Sequence, residues 1–548
     1  MASNGSLKSG IQKRVLEAVV SDPSSSDDAA LARLGKKPVL KRNFGFLTIL
    51  GFSCTVLITW EGSLSVFLSG LQNGGPSGLI YGFIVVWGGT LSLFLTLSEL
   101  VSMAPTSGGQ YHWVSMLAPA SCRKFLGYLT GWLTLTGWQA FVASGAYLTG
   151  TMIQGIIILT HPSYLATMQN WHGTLLFWAV ILLSYCINTS IGSVLAKFEG
   201  IVLFVHILGF FAVILPLIIV GQPSSPDAVW NTWLNLGDWP TQGLSFSVGI
   251  IGNVFAFVGA DGAIHMSEEI RNAPLVIPRS LLTGLMINGS LGFAMMIVTL
   301  YYMGDINTAL AENPIFPFMA IFHNALHSTA AAAVLSSIPV VMGFSATTGV
   351  FASASRVYWA FARDRGLPGW EYLKRVNPRT SIPSYAVVTT AIVAILLSLV
   401  NIGGSTAFNG AISISIAGLF GSYLIVASLL LYRRISGDIV PPGFQVDSAA
   451  VTTTTDSANL TWGPWRLYGV WGSVNNAFTC AFLLYVLFFS FWPAFIEVTP
   501  QNMNWSILVT GVVIVFSVVY YLVWARKSYT GPVIEIAPSL AEGVRESI

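Results

Sequence analysis

Apolar residues in this chain gather into twelve long runs, and that clustering restricts the fold more than any other feature. A helix needs about 20 mainly apolar residues to cross the hydrocarbon of a bilayer. Runs of that order fall roughly at 44–68, 78–103, 125–159, 175–190, 198–220, 244–265, 280–303, 331–361, 384–400, 408–432, 477–491 and 505–524. The third and eighth are long enough to imply tilt or extension past the membrane. Only 9% of the residues are charged, 54% are hydrophobic, and the mean hydropathy is +0.69. A soluble domain carries about 25% charged residues, so this chain has too few to cover a water-exposed surface. Backbone polar groups in lipid must be satisfied within the segment, which selects helices. The expectation is an all-α polytopic membrane protein of about twelve transmembrane helices.

Charge placement sets the orientation. Lys and Arg mark cytoplasmic loops. With twelve spans and both termini inside, all 25 Lys and Arg fall to inner segments or the inner ends of spans. Outer stretches such as LTHPSYLATMQNWHG and GQPSSPDAVWNTWLNLGDWPTQG hold none. Residues 1–43 run from SDPSSSDD into LARLGKKPVLKR without a short apolar core. This argues against a cleaved signal peptide and predicts a disordered cytoplasmic tail. The predicted division is spans 1–5 over 44–220, spans 6–10 over 244–432, a cytoplasmic loop at 433–472, spans 11–12 over 473–525, and a cytoplasmic tail at 526–548. A net charge of +2 gives no reason to expect a nucleic-acid partner, and the four scattered cysteines form no disulfide framework.

Two spans are interrupted well inside their apolar runs. The first breaks at Thr59-Trp60-Glu61-Gly62-Ser63 and the sixth at Val258-Gly259-Ala260-Asp261-Gly262. They lie five spans apart and so run in opposite directions, and such paired interruptions mark a transporter site near the midplane. A charged residue at mid-bilayer costs roughly 2.5–3.5 kcal/mol on insertion scales, which makes Glu61 a candidate for holding a substrate ammonium or a coupling proton. The bland alternative is a protonated Glu that bonds a neighbouring helix. Gly62 and Ser63 suit unwound backbone, whose free N–H groups would cap a carboxylate. Carbonyls freed between Phe255 and Asp261 would accept from an ammonium, and Phe255 or Phe257 would add a cation–π contact. For any single Phe, packing is the better reading, and Asp261 is equally well read as a tie for the unwound segment.

His206 lies mid-span in VLFVHILGF, where a packing role and a proton relay are both open. Ser345, Thr347 and Thr348 in FSATTGVF suit a cation or substrate site, though helix–helix hydrogen bonding is commoner for any one of them. His323 and His327 have metal-ligand spacing but no third ligand, so no metal is expected. Glu268, Glu269 and Arg271 read as interfacial pairing, and Arg363-Asp364-Arg365 as a solvated loop. Asn504-Trp505-Ser506 is a sequon abutting the membrane. No P-loop, HExxH, nucleophile elbow or dinucleotide fingerprint is present, so neither a cofactor nor an enzyme is expected.

The stretches SELVSMAPTSGGQYHW, FAFVGADGAIHMSEEIRNAPLVIPRS and ASRVYWAFARDRGLP together resemble the amino acid–polyamine–organocation transporters, and within them the fungal amino acid/choline branch. The resemblance covers about residues 40–530. It implies a five-plus-five inverted repeat with two further C-terminal helices, alternating access and proton coupling. Trp60-Glu61-Gly62 stands where that superfamily has a Gly-Ser-Gly-like turn for the substrate carboxylate, and only Gly62 keeps a glycine. Phe255 to Asp261 match the segment that contacts the amine. His206 stands where many relatives carry a lysine used in ion coupling. The resemblance thus implies a substrate site at Thr59, Trp60, Glu61, Gly62, Ser63, Phe255, Phe257, Gly259 and Asp261, with His206, Glu61, Thr347 and Thr348 in ion coupling. The expected function is proton-coupled import of amino acids, GABA included, across a fungal-type plasma membrane rather than an internal one. A choline or polyamine permease is the rival of the same fold, and a non-transporting nutrient receptor the rival of another class.

Overall fold

The computed structural model describes residues 23–190, 192–403, 405–441, 460–500 and 502–535. Among these the secondary structure is helical, joined by three isolated bridges and no strand. The first expected span divides into α1 (Phe46–Leu57), α2 (Thr59–Ser65) and α3 (Phe67–Gln72). Then follow α4 (Gly75–Met103), the connecting helix α5 (Gln110–Leu117), α6 (Arg123–Thr160), α7 (Asn170–Thr189) and α8 (Gly192–Val220). The sixth span is α9 (Gln242–Phe255) and a one-turn α10 (Gly262–His265), with non-helical backbone between. The rest are α11 (Ala273–Tyr301), α12 (Pro317–Leu326), α13 (Thr329–Arg363), α14 (Ser384–Gly403), α15 (Ser405–Ile435), α16 (Gly469–Ser490) and α17 (Ser506–Tyr520).

Among the described residues ten helical segments are long and apolar enough to cross a membrane, and two expected spans fall on the shorter apolar helices Gln242–Phe255 and Ser384–Ser398. The long third and eighth spans are α6 with 38 residues and α13 with 35. At a rise of 1.5 Å per residue they are about 50–60 Å long, well beyond a 30 Å hydrocarbon layer. Leu182, Ile201, Phe204, Ile219 and Phe488 point outward. Such faces would be a liability in water and suit acyl chains. Elements five spans apart pack on each other: α4 on α11, and α6 on α13. That pairing is the one an inverted repeat generates.

The first and last described segments meet on one face, called here the terminal face. The described part of the N-terminal segment, predicted as disordered, is instead folded onto this face. It forms a helix over Pro23–Arg33, and Leu31, Lys36 and Leu40 are buried. Its polar composition hid this, because the segment buries little surface of its own and docks on a face already made. Residues 1–22, 442–459 and 536–548 of the predicted tails and loop lie outside the described residues.

Candidate functional site

The break in the first span sits one residue before the expected stretch. Ile58 takes a left-handed conformation at φ +33°, a genuine outlier for a β-branched residue. Such strain costs of order 1–3 kcal/mol and persists where the surroundings over-determine it. Here Asn288 of α11 fixes the far side, accepting the Thr59 amide at 3.0 Å. Thr59 to Ser63 are therefore helical, forming the first turns of α2 rather than unwound backbone, which corrects the role given to Gly62 and Ser63. The amides of Trp60 and Glu61 find no acceptor across the break among the described residues. They remain the free first-turn donors of a half-helix.

That turn aims Glu61 at α8. The Glu61 carboxylate lies 2.8 Å from His206 Nδ1, and both side chains are buried. The Trp60 indole N–H donates to the His206 carbonyl at 3.3 Å, and its ring packs against His206 at 6.1 Å. Two candidates 145 residues apart thus form one pair. Glu61 Oε2 and His206 Nε2 have no partner among the described residues, so each keeps one valence for a proton or ligand.

The sixth-span break falls where predicted. Gly259 has φ +114°, and a Cβ there would meet the Phe141 ring at 2.5 Å and Val56 at 2.9 Å, so only glycine fits. Asp261 is buried, accepts from Gln110 Nε2 at 3.1 Å and lies 3.9 Å from His265 Nε2. Tyr423 of α15 bonds the same carboxylate, so Asp261 ties the break to α5 and α15. Phe257 packs on Phe83 at 4.9 Å, which is the packing reading. Phe255 instead lines a cavity.

That cavity is about 610 Å³ and opens away from the terminal face. Its lining includes Ser65, Val66, Tyr147, Thr151, Gly252 and Phe255. The Ser65 hydroxyl donates to the Glu61 carbonyl at 2.9 Å, so the Glu61–His206 pair lies one helical turn from the cavity wall. Asn504, the sequon residue, commits its amide to the Ser490 and Trp492 carbonyls at 2.8 and 3.1 Å and packs rather than projects.

The terminal face is closed. Arg363 grips Glu268 with two bonds of 2.7 and 2.9 Å, and Arg356 Nε donates to Glu269 at 2.8 Å. Lys36 pairs with Asp364, which also accepts from the Tyr111 hydroxyl and the Val533 amide, each at 2.9 Å. Glu535 clasps the N-terminal segment through the Lys37 and Gly35 backbones. Expected as solvated, Arg363 and Asp364 are buried, because partners from four distant segments replace the water they lose. Burial raises the Asp364 carboxyl, but Lys36 and Arg363 outweigh it and hold it below the ordinary carboxylate range. Glu268 is held down likewise, with burial opposed by Arg363.

Thr347 and Thr348 stand apart from the Glu61–His206 pair. Their hydroxyls donate to the Gly343 and Phe344 carbonyls. Thr348 meets Ser184 of α7 at 3.1 Å, and Thr347 faces Gly145 of α6. Ser345 donates to Val341 in the same way. His323 is helical and contacts Thr329, and the described residues contain no cluster fit for a metal.

Sequence reasoning missed Glu199. It lies on α8 seven residues before His206, hence on the same face about 10 Å away. It is fully buried, and apart from Thr55 of α1 its carboxylate has no hydrogen-bond partner among the described residues. A Cβ at Gly349 of α13 would come within 3.3 Å of Glu199 Oε1 and 2.7 Å of Val56, so the glycine makes room for it. The signal was present as one acid in the run LAKFEGIVLF.

A family model for amino acid permeases matches residues 44–513. A choline transporter of Saccharomyces cerevisiae is 27% identical over 89% of this chain and 83% of its own length. Amino-acid permease 2 of Neurospora crassa is 27% identical over 94% and 92%. A GABA-specific permease of S. cerevisiae is 26% identical over 93% and 86%.

Proposed function

This chain belongs to the amino acid permease family and is a multi-pass membrane transporter rather than an enzyme, and within that family we propose that it imports amino acids, GABA included, driven by protons. The carrying observation is the buried Glu61–His206 contact at the helix break. In this reading the free amides at the start of α2 hold the substrate carboxylate. Phe255, Tyr147 and the carbonyls around Gly259 receive the ammonium. The Glu61–His206 contact links substrate arrival to proton uptake, and Glu199, seven residues along the same face, passes the proton toward the terminal face. A buried carboxylate with only the neutral Thr55 hydroxyl beside it is costly unless neutralised, so Glu199 suits a proton carrier.

The terminal face is taken as cytoplasmic, because the Lys and Arg among the described residues fall on that side or at its edge. The cavity then faces outward and the closed ion-paired face inward, in a plasma membrane whose potential favours inward positive charge. A choline or polyamine substrate is the second reading, supported by the carboxylates Glu61 and Asp261 and by the relative named a choline transporter.

The test is uptake of labelled GABA, a neutral amino acid, choline and putrescine into vesicles of pure protein, with and without a proton gradient. Gradient-driven amino acid or GABA uptake is expected. Glu61→Gln or His206→Ala is expected to abolish gradient stimulation while leaving substrate exchange. Uptake of choline or putrescine alone would overturn the substrate assignment, and stimulation that survives both substitutions would overturn the coupling site.

A further inference from the structure

On the terminal face, a recess of about 280 Å³ lies between the end of α15 and the start of α16. It is lined by Arg434, Ile439, Pro441, Trp462, Arg466 and Tyr468. We propose that this recess binds the phosphate of an anionic lipid headgroup, with Arg466 as the principal anchor and Arg434 as its second wall. The inference stands apart from the substrate reading and concerns a different part of the molecule.

Three observations carry it. The first is an uncompensated charge. The Arg434 guanidinium donates to Glu99 at 2.5 Å and to the Leu467 carbonyl at 3.3 Å, so it is neutralised. Arg466 has no hydrogen bond or ion pair among the described residues and only lies over the Tyr468 ring at 4.9 Å. A guanidinium left unpaired beside a cavity is a planar fork that matches two phosphate oxygens. The second is an unused donor. Arg434 is 8% exposed, and its buried Nε has no acceptor among the described residues. Stacking on Trp462 at 4.4 Å holds that guanidinium in one plane, so the donor is fixed before a ligand arrives.

The third is the rim, which selects lipid over soluble phosphate. Ile435, Val470 and Trp471 are 72%, 75% and 79% exposed beside the recess, with Tyr432 and Tyr468 among them. Tyr and Trp of this kind sit at the headgroup level of a bilayer, and basic pockets at helix ends there recognise charged headgroups. An inorganic anion has no use for the apolar flank, whereas a lipid would lay its chains along it. The occupant would bridge α15, the segment before α16 and α16 itself, next to the Glu99 contact on α4.

The experiment uses the full chain, delipidated in detergent and titrated with short-chain phosphatidylglycerol, with phosphatidylcholine of equal chain length, and with inorganic phosphate. Binding is read by Trp fluorescence and by the shift in melting temperature. Phosphatidylglycerol is expected to bind at least about tenfold more tightly than phosphatidylcholine, and Arg466→Gln to erase that preference. Arg375→Gln, a surface charge on the loop before α14, is expected to leave it intact. Arg466→Lys keeps the charge without the fork and is expected to bind less tightly than the parent. Equal losses in Arg466→Gln and Arg375→Gln would show diffuse attraction to a basic face and overturn the site. Inorganic phosphate binding as tightly as phosphatidylglycerol would overturn the lipid assignment. Melting curves in phosphatidylcholine show that each variant is folded.

Discussion

Replacing Asp364 with Asn perturbs the closed face at one point. Asn keeps one oxygen, which still accepts from the Val533 amide that Asp364 Oδ1 now serves, while its NH2 takes the place of the Oδ2 that accepts from the Tyr111 hydroxyl. What it removes is the negative charge beside Lys36, whose side chain is completely buried. Leaving one member of a buried pair uncompensated costs about 3–5 kcal/mol. Lys36 regains water when the face opens, so nearly all of that cost falls on the closed state. At 1.4 kcal/mol per factor of ten, the open fraction should rise by roughly two to three and a half orders of magnitude. Ser353, buried under this face with its hydroxyl on the Gly262 carbonyl at 3.2 Å, is a suitable reporter when changed to Cys. Its labelling by a maleimide applied from the terminal side should accelerate accordingly in Asp364→Asn. Adding Lys36→Met should restore slow labelling, because the orphaned charge is then gone. If Asp364→Asn labels at the parental rate, or Lys36→Met fails to reverse it, the pair does not hold the face shut.

Two further outcomes follow from the same face. Ending the chain after Ser528 removes the Val533 and Glu535 contacts and the buried Tyr529 ring, so the Ser353→Cys reporter should label faster than in the full chain, but more slowly than in Asp364→Asn. An unchanged rate would show that the C-terminal strap is passive. His112 on α5 faces Lys36, Asp364, Arg363 and Glu268, and burial, then Lys36, lowers its imidazole to about 4. The unfolded chain takes up a proton near pH 6.5 that the folded one refuses. Stability should therefore fall as pH drops from about 6.5 to 4, by about 3 kcal/mol at most. The melting temperature of His112→Phe should fall less steeply over that window. Asp364 and Glu268, whose depressed carboxyls keep their contribution to lower pH, should give way only beneath it.

The spans and both breaks were legible because they depend on local properties. About 20 apolar residues, or a polar turn inside them, need no knowledge of the rest of the chain. The Glu61–His206 contact was legible only as two separate anomalies, since nothing in a linear reading brings residue 61 to residue 206. Within Arg363-Asp364-Arg365 the first two were misread for a related reason, while Arg365 is exposed as expected. A charge triplet reads as solvated until Lys36, Glu268 and Tyr111 are known to surround it, and each comes from a separate segment. The break itself was placed late, because Gly62 and Ser63 looked like the flexible points. Ile58 carries the strain because Asn288, in another span, holds the next amide.

The two faces of the molecule are lined by different chemistry, and the difference suits an alternating cycle. The cavity side is lined mainly by apolar and uncharged polar groups, with Val66 and Phe255 among them. The terminal side is held by buried pairs, Arg363 with Glu268, Arg356 with Glu269 and Lys36 with Asp364. Were that face sealed by apolar side chains of equal area, opening would expose them to water at about 25 cal/mol per Å² with nothing gained in return. Ion pairs behave otherwise. Separation loses their mutual attraction but restores the hydration of each charge, and the two terms nearly cancel. The closed and open forms of such a face can then lie within a few kcal/mol of each other, a gap that one bound solute and one transferred proton are able to reverse.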